Sequence, residues 1–176
     1  KDALVAAAGF INKVPEIVKE YGNEFTVATV GTIKVTPHSV NVIPGTCTFS
    51  LEIRDQSAEV MKLIENHLRQ LLEDICKKYG VTSTFVPTSY HDPAPMSELV
   101  RGTIEEAVKE LGIDYTVIPS GAFHDSLIMT SVFPTGMIFV PSKDGISHSR
   151  YEYTAPEDIE NGCNVLLNTV LKLDEK

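Results

Sequence analysis

"TCTFSLEIRDQSAEVMKLIENHLRQLLEDICKKYG" occupies residues 46–80 and changes its periodicity part-way along. Over 46–54, Cys47, Phe49, Leu51 and Ile53 alternate with Thr46, Thr48, Ser50, Glu52 and Arg54. That is the two-residue period of a strand with one face buried. Over 57–79 the apolar residues Val60, Ile64, Leu68, Leu71, Leu72 and Ile75 recur three or four apart. This is the stripe of an amphipathic helix. Ser57 suits its N-cap, Glu59 suits the positive end of its dipole, and Gly80 suits its stop.

Working outward, residues 2–20 read as a helix with Leu4, Ala8, Ile11 and Val18 on one face. Only Lys1 precedes Asp2, so no capping loop introduces this helix, and we expect a processed or truncated chain. "YGN" at 21–23 is a stop. Residues 24–36, rich in Thr and Val, read as a strand bulged at Gly31, and 37–45 as a loop. Residues 81–90 read as a further strand, with Pro87 marking an edge or bulge. The order α-β-β-α-β matches a ferredoxin-like β-α-β-β-α-β unit without its first strand.

"HDPAPM" at 91–96 is the best joint, giving domains at 1–91 and 92–176. The second part reads as a helix at 97–111, a strand at 115–118, a loop opening a short helix at His124, and a buried strand at 136–140. A loop around His148 and a helix at 155–173 follow, the latter with Pro156 near its start and Ile159, Cys163, Leu166, Val170 and Leu173 on one face. Strands alternating with helices predict a piece of an α/β sheet, whose function gathers in loops at the C-terminal ends of strands.

Composition narrows the classes. With 43% hydrophobic and 22% charged residues the 176-residue chain is globular rather than disordered. The net charge of −9, with no basic run beyond Lys77-Lys78, argues against nucleic acid, whose affinity rests on phosphate neutralisation. No apolar run approaches the ~18–20 residues of a membrane span. Three separated cysteines, Cys47, Cys76 and Cys163, fit no disulfide framework and read as buried thiols in a reducing cytoplasm.

Five histidines are the remaining source of chemistry. His67 falls on the polar side of its helix, His91 in the joint and His38 in a turn; each reads as a surface or linker residue. His148 lies in a Gly-Ser loop with room to reach a metal, so a ligand, an acid-base group and a plain loop histidine all stay open. His124, before Asp125 at the start of a short helix, stands near free N–H groups that favour an anion. No GxSxG elbow, HExxH or CxxC pair is present.

Three segments taken together resemble one family. "NVIPGTCTFSLEIRD" (41–55), "SGAFHDS" (120–126) and "FVPSKDGISHSRYEYT" (139–154) resemble the dinuclear-metal amidohydrolases of the M20 peptidase superfamily. The likeness is to the hydantoinase/carbamoylase branch: N-carbamoyl-L-amino-acid hydrolases, allantoate amidohydrolases and β-ureidopropionases. The opening "DALVAAAGFI" is similar to the first lid helix of that group, so the likeness covers essentially the whole chain.

The resemblance implies a ferredoxin-like lid followed by the C-terminal part of a zinc-peptidase-like α/β catalytic domain. It implies that His148 is a metal ligand, that Asn41 and Arg54 hold substrate carboxylate and carbonyl, and that His124 steadies the oxyanion. An Arg fork suits a carboxylate. Phe123 stands where the group usually has Gly, and Arg150 where Pro commonly follows, and both bear on substrate choice. The implied cofactor is a zinc or manganese pair, and the implied reaction is attack of a metal-bound water on a linear amide or ureido carbonyl. The implied partners are a carboxylate-bearing small substrate, most directly an N-carbamoyl-L-amino acid, and a second copy meeting through the lid. The group's other metal ligands, its glutamate base and a further lid histidine have no counterpart here, so this chain alone is expected to be inactive. A non-catalytic binding or dimerisation module is the reading of another class.

Overall fold

The computed structural model describes residues 1–175 as two compact units, Lys1–Pro93 and a second from Ala94 onward. The first holds helix α1 (Ala3–Tyr21), strands β1 (Val27–Thr29), β2 (Ile33–Thr36), β3 (Thr46–Phe49) and β4 (Glu52–Arg54), and helix α2 (Ala58–Tyr79). The second holds α3 (Glu98–Glu110), α4 (Asp125–Met129) and α5 (Pro156–Asp174), with a single 3-10 turn at Lys143–Gly145.

The four strands make one bulged antiparallel hairpin. β1 pairs with β4 so that Val27 faces Arg54 and Thr29 faces Glu52. β2 pairs with β3 so that Ile33 faces Phe49 and Thr36 faces Thr46. Between these ladders, residues 30–32 stand against 50–51, one extra residue on the first strand, which is the bulge read at Gly31. Ser50 pins it: its Oγ accepts from the Thr32 N–H at 3.0 Å and its own N–H reaches the Thr32 carbonyl at 3.1 Å.

The core of this unit is Phe10, Val14, Ile64 and Leu68, ringed by Phe49, Leu51, Ile53, Val60, Leu71, Leu72 and Ile75. The faces read over 46–54 and on α2 are therefore the inner ones. The face expected for α1 is displaced. Ile11 does pack against the core, but Ala8 is exposed, and the inward stripe runs Ala7, Phe10, Val14, Ile17 and Tyr21. Phe10 decides this, because its ring meets Phe49 with centroids 5.5 Å apart. Asp2, read as lacking a start signal, caps α1: its Oδ1 accepts from the N–H groups of Leu4 and Val5, each at 3.0 Å. His67 is half-buried rather than solvated, its ring stacked on Tyr21 at 3.5 Å.

Asp55 ties the elements together at the other end. It accepts from the Ser57 N–H at 2.8 Å and from the Thr26 hydroxyl, while the Ser57 Oγ caps Val60. Gly80, at φ +64°, closes α2 in the left-handed conformation that a side chain would strain. Residues 81–90 form no strand, which corrects that expectation. A strand exists only where a second backbone takes up its N–H and C=O groups, and none among the described residues does so here. The segment is held by a side chain instead, with the Arg69 guanidinium 3.7 Å above the Phe85 ring.

In the second unit α3 packs on α5 through small residues: Thr103, Ala107 and Val108 on one, Val165 and Thr169 on the other. Thr103 and Thr169 satisfy their buried hydroxyls by bonding Leu99 O and Val165 O. The expected face of α5 is corrected accordingly. Ile159, Cys163, Leu166 and Val170 are exposed, and the small side of the helix is buried, because small residues let two helix backbones approach closely. Cys163 is thus not a buried thiol; Cys47 and Cys76 are half-buried, and burial pushes the Cys47 thiol up. Residues 115–118 and 136–140 are also unpaired, for the same reason as 81–90. Segment 136–140 is nonetheless packed closely at both ends. A Cβ on Gly136 would lie 2.7 Å from Val100 Cγ1, and one on Gly162 would lie 2.5 Å from Val140 Cγ1. Gly162→Val, whose branched side chain cannot swing aside, is expected to lower stability by about 1–3 kcal/mol. A fall in the urea midpoint at constant m-value checks it.

Candidate active-site elements

Arg54 closes β4, opposite Val27, on the outer face of the hairpin. Its Nη2 donates to both carboxylate oxygens of Glu52 at 2.9 Å, two residues back on the same face. Asn41 lies in the loop joining β2 to β3. The Ser39 hydroxyl donates to its Oδ1 at 2.8 Å, so the amide's N–H groups are its recognition chemistry. That loop is tied down by Gly45 N–H to Thr36 O at 3.0 Å and by Ala3 N–H to Pro44 O at 3.1 Å.

The fold does not bring Asn41 and Arg54 together. Residues 46–54 of the hairpin span roughly 25 Å at strand rise. Helix α1 gives the same span independently. Its first residue is bonded beside the Asn41 loop and the turn after its end is bonded to Asp55. Its 19 residues cover about 28 Å.

His124 is the N-cap of α4. Its Nδ1 accepts the Ser126 N–H at 3.1 Å and stands 3.0 Å from the Ser126 hydroxyl. A backbone N–H can only donate, so Nδ1 is the acceptor in this contact and Nε2 is the nitrogen left to donate. This is the donor that an oxyanion needs. Phe123, beside it, is exposed.

His148 sits at φ +54°, left-handed backbone that costs a non-glycine residue about 1–2 kcal/mol. Asp144, at φ +57°, shares the loop. Glu152 holds the turn: its carboxylate accepts the His148 N–H at 2.9 Å and its N–H donates to Ser149 O at 3.0 Å. Lys143 N–H to Tyr153 O, at 2.8 Å, closes the loop. The residue reading singled out neither Ser126 nor Glu152. The first was legible as the N2 partner of a cap, while the second is a turn contact that no local pattern announces.

Among the described residues no three His, Cys, Asp or Glu side chains come together as a metal cage. A dinuclear centre needs several such ligands, so the residues present do not fit one by themselves. No helix among them is long and apolar enough to cross a membrane.

Comparison with known proteins gives this geometry its family. The model of peptidase family M20/M25/M40 matches residues 6–172. The chain belongs to that family. It is 38% identical over 173 residues to the N-carbamoyl-L-amino acid amidohydrolase of Geobacillus stearothermophilus, covering 98% of this chain and 42% of that protein. It is 32% identical over 173 residues to the allantoate amidohydrolase of Bacillus subtilis, again covering 98% of this chain and 42% of the other. A crystal structure of an amidase of the hydantoinase/carbamoylase family from Burkholderia multivorans superposes with a TM-score of 0.87 at 35% identity, over 97% of this chain and 41% of that one. The chain thus spans under half the length of the M20 relatives it matches.

Proposed function

We propose that the whole protein is a metal-dependent amidohydrolase that cleaves the C–N bond of a linear amide or ureido group, most directly in an N-carbamoyl-L-amino acid. The observation that carries this reading is the chain-wide likeness to M20 relatives bearing amidohydrolase names. Allantoate and β-ureidopropionate share the ureido-plus-carboxylate chemistry and are the alternative substrates.

In this reading the first unit is a ferredoxin-like lid. Segment 81–90 pairs with a strand outside this chain, and the second unit is part of a larger catalytic domain. The exposed apolar face of α5 supports the latter, since contiguous apolar surface normally marks a contact. Arg54 takes the substrate carboxylate, Asn41 donates to a carbonyl, and His124 donates Nε2–H to the oxygen that becomes negative. His148 is one ligand of a divalent zinc or manganese pair. The other ligands and the group that activates water lie outside these residues, so neither is assigned to this chain.

Asn41 and Arg54, at opposite ends of one hairpin, cannot both hold one small substrate. This supports a homodimer through residues 24–90, with one of the two residues serving the partner's site. A strict monomer by gel filtration would count against that arrangement.

The test pairs metal content with activity. After incubation with Zn²⁺ or Mn²⁺ and desalting, the 176-residue chain is expected to retain close to no metal, and the whole protein to release ammonia from N-carbamoyl-L-amino acids. Two tightly held ions per 176-residue chain would overturn the ligand assignment. A metal-loaded whole protein that binds carboxylates yet hydrolyses no ureido substrate would favour the non-catalytic module.

A further inference from the structure

We propose that Ser126 is a positioning residue that locks the His124 imidazole in one orientation and one tautomer. The proposal rests on the reading of His124 as the oxyanion donor, although its principal test does not.

An unprotonated imidazole nitrogen has one in-plane lone pair. Two groups of the same residue converge on that pair at Nδ1: the Ser126 N–H at 3.1 Å and the Ser126 hydroxyl at 3.0 Å. Because the N–H can only donate, the hydroxyl must donate as well. A proton on Nδ1 would face two donors, and a flip about χ2 would set a ring C–H against them. Imidazole χ2 is otherwise broad and nearly two-fold, so a single capping bond leaves the ring more freedom. Helix α4 has five residues, and its own packing does little to hold the ring, because His124 is exposed. The hydroxyl therefore supplies the orientation that packing does not, as partners behind a working histidine commonly do.

Ala at position 126 keeps the N–H and loses the hydroxyl, whereas Thr keeps both.

The experiment is ¹⁵N NMR on histidine-labelled full chain at about pH 8.5, above the ordinary imidazole range, with the His124 signals assigned by their loss in His124→Asn. The expected result is one unprotonated nitrogen, Nδ1, and one protonated nitrogen, Nε2, at well-separated shifts. In Ser126→Ala the two shifts should move toward one another as the second tautomer becomes populated, and Ser126→Thr should restore them. In the whole protein, kcat should fall roughly tenfold in Ser126→Ala with KM unchanged, and recover in Ser126→Thr. A protonated Nδ1 in the unaltered chain overturns the proposal, as do shifts in Ser126→Ala that match the unaltered chain. If the NMR result holds while His124→Asn leaves turnover unchanged, the positioning stands and the oxyanion role fails. If His124→Asn abolishes turnover while the shifts ignore Ser126, the reverse is true.

Discussion

His124→Asn in the whole protein is expected to lower kcat by about 10²–10³ while leaving thermal stability within about 0.5 kcal/mol of the parent. The argument joins two roles that one side chain plays. His124 caps α4 through Nδ1, and in the proposed mechanism it serves the reaction through Nε2. Asn is among the best N-caps, so it replaces the first role, but its shorter amide cannot reach where the imidazole Nε2–H reached. His124→Ala removes both and should add a loss of about 1 kcal/mol in stability. Comparing the two variants by melting curve and turnover separates cap from catalyst. Equal turnover in His124→Asn and the parent would show that the histidine is only a cap.

The second large effect is at Arg54. Arg54→Lys in the whole protein should raise KM by roughly a hundredfold, about 3 kcal/mol, because a point charge cannot reproduce a planar fork on a desolvated carboxylate. Little stability should be lost. The pair it forms with Glu52 is about half-exposed on both sides, and such surface pairs contribute about 0–1 kcal/mol. Steady-state kinetics on an N-carbamoyl-L-amino acid and on its uncharged amide should diverge: the first substrate loses affinity and the second does not. A KM for the carboxylate substrate that is unchanged in Arg54→Lys would remove Arg54 from recognition.

The existence of the long helices and the caps of α2 were set locally, which is why the residues alone displayed them. Ser57 opens α2 and Gly80 closes it, each through contacts within a few residues. The family was legible for a related reason: "SGAFHDS" and "GISHS" are short loops whose backbone shape and chemistry are written in consecutive residues.

Tertiary structure alone decided the rest, because the deciding partner lay far along the chain or outside it. The residue types in 81–90, 115–118 and 136–140 suit a strand, but a strand is a property of two backbones, and among the described residues none of these segments has its second. Which side of α1 and α5 turned inward depended on Phe10 meeting Phe49 and on the close approach of Val165 and Thr169 to α3. Counting apolar residues every third or fourth position cannot weigh that against a larger but unpartnered stripe. Asn41 in the loop before a strand and Arg54 at its far end were plain in the sequence, whereas the tie of α1 and the turn after it to both ends of that hairpin was not, because the bonds to Pro44 and Asp55 join residues distant along the chain.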